Sequence, residues 1–336
     1  MANIETMNSS SIIGTSVINT GELNPLSPEK VSVLKNGVRT AVIDLESTLT
    51  GNEALNFWAD MIGAGQEVWE ITNSAMNGTN GTAQNGQRDY EDALKARLAI
   101  DKPDIQMVNA AADNNMKLMA KNAKQVVNAL LDSGINVVIV TGGFDLVIEP
   151  VQGYFPCPIY TNNLFKNKKT GRFTEIGDQE ILVRTNGKKD LVNELREAGE
   201  IEGPIGVFGD GTSDMNIDGD IRICQANWAS RNEAIRMSDI TVRHIEAIIP
   251  AFLGYERRAV MRKGHYGELL RLGVFELKDS STRFNDVAFG IEIISRLNSE
   301  YDPRKDEDRI ISLPAGKNNH REPISANIFN REDRYA

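Results

Sequence analysis

Cysteine is nearly missing from this sequence. The 336 residues hold two, Cys157 and Cys224, far apart and outside any CxxC spacing. That excludes a disulfide framework and a cysteine zinc site, and fits the reduced thiols of a cytoplasmic protein. Long hydrophobic runs are missing too: no apolar stretch approaches the roughly 18 residues that a membrane span needs. The N-terminus lacks the basic, apolar and small-residue succession of a secretory signal, so the Asn-Gly-Thr sequons at Asn77 and Asn80 are expected to meet no glycosylation system. Positive charge is in deficit, with 37 Lys and Arg against 47 Asp and Glu and a formal net charge of -10. A surface of that sign repels nucleic-acid phosphates and anionic membranes, and neither is an expected partner. No internal repeat is present. The expected class is a soluble protein with enough chain for one large domain or two moderate ones.

What the chain does have is organised around Ala41-Val-Ile-Asp44-Leu-Glu46-Ser47-Thr48-Leu-Thr-Gly-Asn-Glu53. A short apolar run cut off by polar residues is the pattern of a buried parallel strand ending at a loop. Ligands of open α/β sheets sit outside the carboxyl ends of the strands, where Asp44 and Glu46 emerge. Residues two apart on an extended strand share a face, so both carboxylates can address one site. The plainer reading, a strand end whose Asp and Ser cap a following helix, stands on the same residues.

Further strands are expected at 137–140, running into Thr141-Gly142-Gly143-Phe144-Asp145, and at 204–208, running into Gly209-Asp210-Gly211-Thr212-Ser213-Asp214. Residues 220–224 and 239–242 are shorter candidates, and 159–175 reads as a hairpin. Apolar spacing predicts helices from 53 to 62, 66–76, 90–100, 105–131, from about 188, over 244–272 with breaks at Pro250 and Gly254, and over 284–297. A polar Gly/Asn loop, expected to be mobile, fills 77–88.

This alternation predicts an α/β fold with a doubly wound, Rossmann-like parallel sheet. The all-helical stretch at 52–105 interrupts it directly after the first strand, as a cap inserted over the sheet's carboxyl edge. The expected division is a leader over 1–35, loosely ordered or a short hairpin, a catalytic core over 36–51 and 106–251, the cap over 52–105, and a C-terminal helical extension and tail over 252–336. Arg257, Arg258, Arg262, Lys263 and Arg271 of the extension are expected to form a solvated face. That extension is also the expected surface for any homo-oligomer.

Four strand or helix ends thus carry a carboxylate pair, a hydroxyl beside a Gly-Gly turn, a lysine at 188 and a late pair of acids. Phosphoryl transfer uses this set. An Asp carboxylate can attack phosphorus and split hydrolysis into two easier steps. Mg²⁺ takes hard oxygen ligands, which Asp44, Asp210 and Asp214 offer. The charge on the transferring oxygens needs fixed donors and cations, which Thr141, the amides around Gly142 and Lys188 offer.

Over residues 39–251 the sequence resembles the haloacid-dehalogenase-type phosphatases, most of all the phosphoserine phosphatases. The family's first motif matches Asp44-Leu-Glu46-Ser-Thr-Leu, its second Val140-Thr141-Gly142-Gly143-Phe144, and its fourth Gly209-Asp210-Gly211-Thr-Ser-Asp214. Its lysine falls on Lys188, followed at the family's apolar spacing by Leu191, Val192 and Leu195. The resemblance implies Asp44 as nucleophile and Glu46 as acid and then base. It implies phosphate binding by Thr141, Gly142 and Lys188, and Mg²⁺ held by Asp44, the Glu46 carbonyl, Asp210 and Asp214. In the cap it implies Glu53 for a substrate amine, Met76 and Tyr90 along the pocket, and Arg97 as the clamp on a substrate carboxylate. An Arg fork and an acid suit the two charges of an amino acid. The expected activity is therefore a Mg²⁺-dependent phosphomonoesterase acting on phosphoserine or a similar small amino acid phosphate. Glu46 stands where the family usually has Asp, and one more methylene moves the carboxyl by about a bond length. That departure and the two terminal segments motivate the alternatives, a phosphotransferase using the same intermediate or a phosphate-binding regulatory protein with weak turnover.

Overall fold

The structure, a computed structural model, describes residues 17–18, 25–76, 90–177 and 180–301. The expected loop at 77–88 with its sequons, most of the expected leader and the tail from 302 lie outside the described residues. In chain order the elements are β1 (Val17–Ile18), α1 (Pro28–Asn36), β2 (Thr40–Ile43), α2 (Ala54–Met61), α3 (Gly65–Met76), α4 (Tyr90–Asp101), α5 (Ile105–Lys117), α6 (Ala123–Asp132), β3 (Asn136–Phe144) and α7 (Asp145–Gln152). They continue with β4 (Ile159–Asn162), β5 (Leu164–Lys166), β6 (Phe173–Ile176), α8 (Gly187–Glu197), β7 (Ile205–Gly209), α9 (Thr212–Met215), β8 (Ile221–Gln225), α10 (Asn232–Met237) and β9 (Ile240–Val242). The chain then forms α11 (Ile248–Phe252), α12 (Tyr255–Lys263), α13 (Gly267–Lys278), β10 (Arg283–Phe284) and α14 (Val287–Glu300).

One sheet runs in the order β1-β10-β9-β8-β7-β2-β3-β4. The strands from β9 through β4 pair in parallel, and β10 adds antiparallel to β9. The expected doubly wound α/β architecture is present. The pleat sorts side chains by parity. Ala41 and Ile43 of β2 and Val137 and Ile139 of β3 join a core with α1, α6 and the C-terminal helices. Val42, Val138 and Val140 join the opposite core, with Leu191, Val192 and Leu195 of α8. Every β2 residue is buried, as a strand covered on both faces requires. A third core joins α2, α4 and α5 through Trp58, Leu94, Leu98 and Val108, and stacks Trp58 on Phe144 at 5.9 Å between ring centroids.

The structure corrects several boundaries. The helix expected over 105–131 is two, α5 and α6. The intervening chain is captured by the loop after β2: Gly51 N–H donates to the Leu118 carbonyl at 3.0 Å and Ala120 N–H to the Leu49 carbonyl at 2.8 Å. Those bonds satisfy backbone groups that a continuous helix would have used, and they pin the loop that follows Asp44. Of the hairpin expected over 159–175, Ile159–Asn162 instead joins β3 in the main sheet, and the hairpin is β5–β6 alone. Phe173 of that hairpin packs into the cap core, not the sheet core.

The leader and the extension also differ from expectation. Residues 28–36, assigned to a loose leader, form α1, capped by Ser27 and tied down by Lys30, whose ammonium lies 2.7 Å from Asp239 and 2.5 Å from Asp286. The extension is no appendage, since β10 lengthens the sheet and α14 buries Phe289, Ile293, Ile294 and Leu297 in the sheet core. Nor are its arginines all solvated. Arg258 is 1% exposed and grips Glu300 at 2.6 Å, because its guanidinium also has the Pro250 and Leu253 carbonyls to donate to.

Candidate active site

Strand β2 delivers Asp44 one residue past its end, at the carboxyl edge, where Asp44 N–H still donates to the Phe208 carbonyl of β7 at 2.9 Å. The chain then turns sharply. Ser47 has φ +54, a left-handed conformation unusual for a residue with a Cβ. The turn brings Glu46 back so that its Oε1 accepts the Ala54 N–H at the start of α2, at 3.0 Å. Strand β3 delivers Thr141 and Gly142, with Thr141 fully buried and its Oγ accepting the Gly143 N–H at 3.1 Å. The Asn162 side chain of β4 holds the Gly142 carbonyl at 2.9 Å. Strand β7 delivers Asp210, and α9 follows so closely that Asp214 Oδ2 accepts the Gly211 N–H at 3.0 Å. Lys188 enters from the first turn of α8.

These groups meet. Lys188 Nζ lies 2.6 Å from Asp44 Oδ1 and 2.7 Å from Asp214 Oδ1. Asp44, Asp210 and Asp214 each turn an oxygen into a cluster spanning 4.8 Å or less, and all three are buried. Such a set of hard oxygen donors suits a small divalent cation. Burial pushes the Asp44 carboxyl up to about 7, with Asp214 adding to the rise and Lys188 opposing it. Burial pushes Glu46 up to about 8, helped by Glu53 and opposed by the Ala54 N–H. Asp210 is raised well above the ordinary carboxylate range, by burial first, against the pull of Arg231. For Lys188, burial works against the charged form, but Asp214 and Asp44 together outweigh it and the ammonium titrates higher than usual.

The start of α2 and helix α4 supply the opposite wall. Tyr90 and Arg97 from α4 and Glu53 at the start of α2 line the same cavity as Asp44, Glu46, Thr141, Gly142, Lys188, Asp210 and Asp214. Tyr90 Oη stands 2.6 Å from where a Gly142 Cβ would be, so the glycine lets cap and sheet close together. Arg97 is 2% exposed; its Nε donates to the Ala93 carbonyl and its Nη1 to Thr72, while Nη2 has no hydrogen-bond partner among the described residues. One turn on, both Asp101 oxygens are likewise unpartnered, and burial, eased by Arg97, raises that carboxyl to about 7. Met76 ends α3, and its side chain lies outside the described residues.

Sequence reasoning missed Arg231. It bridges the walls, 3.0 Å from Glu53 Oε1 and 2.7 Å from Asp210 Oδ2. A usable signal existed: it sits in the loop after a predicted strand, at the edge where every other site residue emerges.

A family model, haloacid dehalogenase-like hydrolase, matches residues 41–217. The chain belongs to that family. Its curated relatives make it a phosphatase of the phosphoserine phosphatase-like kind. The chloroplastic phosphoserine phosphatase of Arabidopsis thaliana is 27% identical over 235 residues, covering 68% of this chain and 76% of that protein. The phosphoserine phosphatase of Drosophila melanogaster is 27% identical over 195 residues, covering 57% and 68%. A substrate-bound phosphoserine phosphatase structure shares the fold, with TM-score 0.53 at 22% identity over 64% of this chain and 97% of that one. Among the described residues no helix is long and apolar enough to cross a membrane.

Proposed function

We propose that this phosphatase is a Mg²⁺-dependent phosphomonoesterase working through an aspartyl-phosphate, with phosphoserine or a similar small amino acid phosphate as substrate. One observation carries the proposal: Lys188 seated between Asp44 and Asp214, at 2.6 and 2.7 Å, beside the buried carboxylate cluster. A cation there favours the ionised Asp44 that attack requires. Asp44 forms the new P–O bond while the ester oxygen leaves with its electron pair and takes the proton of Glu46. Glu46, held up to about 8, carries that proton at neutral pH. As a carboxylate it then takes a proton from the water that attacks the aspartyl-phosphate, and Asp44 leaves with orthophosphate released. The Thr141 hydroxyl, the backbone at Gly142 and Lys188 stabilise the phosphoryl oxygens.

Asp44, Asp210 and the Glu46 carbonyl would hold Mg²⁺, with Asp214 supporting. When bound, the ion adds positive charge against the phosphoryl oxygens. In the cap, residues 52–105, Arg97 is the clamp for a substrate carboxylate, because its buried Nη2 has no hydrogen-bond partner of its own. Glu53, Met76 and Tyr90 are assigned to the same pocket, and the cytoplasmic setting proposed with it rests on the two unpaired cysteines.

The test is phosphate release from phosphoserine, phosphothreonine, sugar phosphates and p-nitrophenyl phosphate, with Mg²⁺ and with EDTA. Mg²⁺-dependent turnover centred on phosphoserine and abolished by Asp44→Asn is the expected result. Turnover that survives Asp44→Asn would remove the nucleophile assignment.

A further inference from the structure

Glu53, the acid assigned to a substrate amine, already has two partners. Its Oε1 accepts from Ser47 Oγ at 2.8 Å and from Arg231 Nη2 at 3.0 Å. The other terminal nitrogen of Arg231 lies 2.7 Å from Asp210 Oδ2, an ion pair without hydrogen-bond geometry. The guanidinium is not swinging on an exposed tether, because its side chain is 18% exposed. The loop that carries it is seated too: Trp228 lies so close over Gly51 that a Cβ there would fall 2.6 Å from the indole ring.

The charge-assisted hydrogen bond from Arg231 to Glu53 is partly buried, and such a pair is costly to break on one side only. A substrate ammonium reaching Glu53 therefore meets a carboxylate whose Oε1 already accepts two hydrogen bonds, one of them from a cation. To pair there, the ammonium shares the carboxylate with a cation of equal charge that repels it, so the net gain is small. Across the cavity the situation is reversed, since Arg97 keeps a buried Nη2 without a hydrogen-bond partner. Carboxylate recognition is open while ammonium recognition is filled.

We infer that Arg231 fills the ammonium subsite, so that the pocket takes small phosphate esters through their carboxylate and does not read the α-amino group. The inference rests on the function proposed above. It makes Arg231 a specificity-determining residue, and amino acid phosphates and amine-free carboxylic acid phosphates of the same size are taken alike.

The experiment compares kcat/KM for phosphoserine with that for its amine-free analogue, 3-(phosphonooxy)propanoate, using the full chain with Mg²⁺. Wild type is expected to give a ratio of about 1, and Arg231→Gln a ratio at least about tenfold higher, as the freed Glu53 begins to pair the ammonium. Adding Glu53→Gln to that variant returns the ratio to near its wild-type value. A general structural fault would lower both rates together and leave the ratio alone. Should Arg231→Gln not fold, Arg231→Lys keeps the charge without the fork and is expected to raise the ratio about threefold. A wild-type preference for phosphoserine of about a hundredfold, or a ratio indifferent to position 231, overturns the inference while leaving the phosphatase proposal standing. If wild type hydrolyses neither ester, the proposed substrate class falls and the inference falls with it.

Discussion

On the sheet wall of the cavity, buried charges sit beside charges of opposite sign: Lys188 lies between Asp44 and Asp214, and Arg231 lies 2.7 Å from Asp210. On the facing α4 wall, Arg97 Nη2 is buried with neither a hydrogen-bond partner nor an ion pair among the described residues, whereas Asp44 Oδ1 and Asp210 Oδ2, which also lack a hydrogen bond of good geometry, each lie beside a cation. The first wall holds its geometry before any ligand arrives, which is the preorganisation that phosphoryl transfer needs. The second leaves one buried Arg97 nitrogen free to donate to a ligand oxygen. Chemistry and recognition are thus divided between a charge-balanced surface and an incomplete one.

Breaking the balanced wall should have the largest effect. Lys188→Met leaves Asp44 and Asp214 facing each other without their cation, and phosphate release is expected to fall by at least about a thousandfold. Thermal unfolding should register a loss on the order of 3 kcal/mol, because one side of a buried pair has been removed. Arg97→Met on the cap wall should lower kcat/KM for phosphoserine about ten- to a hundredfold, almost wholly through KM, with little loss of stability. If Arg97→Met unfolds the protein as readily as Lys188→Met, the two walls do not differ in the way described.

The smallest effect sharpens the comparison. Asp101 is raised to about 7 in the folded chain, so the native state holds its proton more tightly than the unfolded state does. The stability tied to that proton is fully present below the ordinary Asp value and is lost as pH rises towards 7. Asp101→Asn should flatten this part of the stability-against-pH curve, by an amount on the order of 1–3 kcal/mol. Melting temperatures taken at pH 5 and pH 8 measure it, and an unchanged slope would show that Asp101 is not held protonated.

The sheet wall was legible in the sequence because each of its residues ends an apolar run or opens a helix, and strand ends in parallel sheets converge on one edge. Asp44, Thr141 and Asp210 each followed from that rule. For Arg231 the rule gives the edge but not the role, because nothing in its own loop reveals a partner 178 residues earlier in the chain. The α5–α6 break was invisible for a related reason. No Gly or Pro marks it, and the bonds that stop the helix come from residues 49–51. Arg258 misled because a basic residue on a polar helix is usually solvated, whereas Glu300 and two carbonyls receive it in the interior. Local pattern reports what a segment does alone, and these three features are settled by distant contacts.

The packing of α14 has a consequence for how the protein is made. Phe289, Ile293, Ile294 and Leu297 share one core with Val33 of α1 and Ile43 of β2. On the ribosome, the strands carrying Asp44, Thr141 and Asp210 emerge long before the last of these side chains. The part of that core that α14 closes therefore waits until residue 297 has left the exit tunnel. A nascent chain of this phosphatase has the strands of its acidic edge in hand early, while the apolar patch that α14 covers stays exposed to aggregation and to chaperones until that helix has emerged.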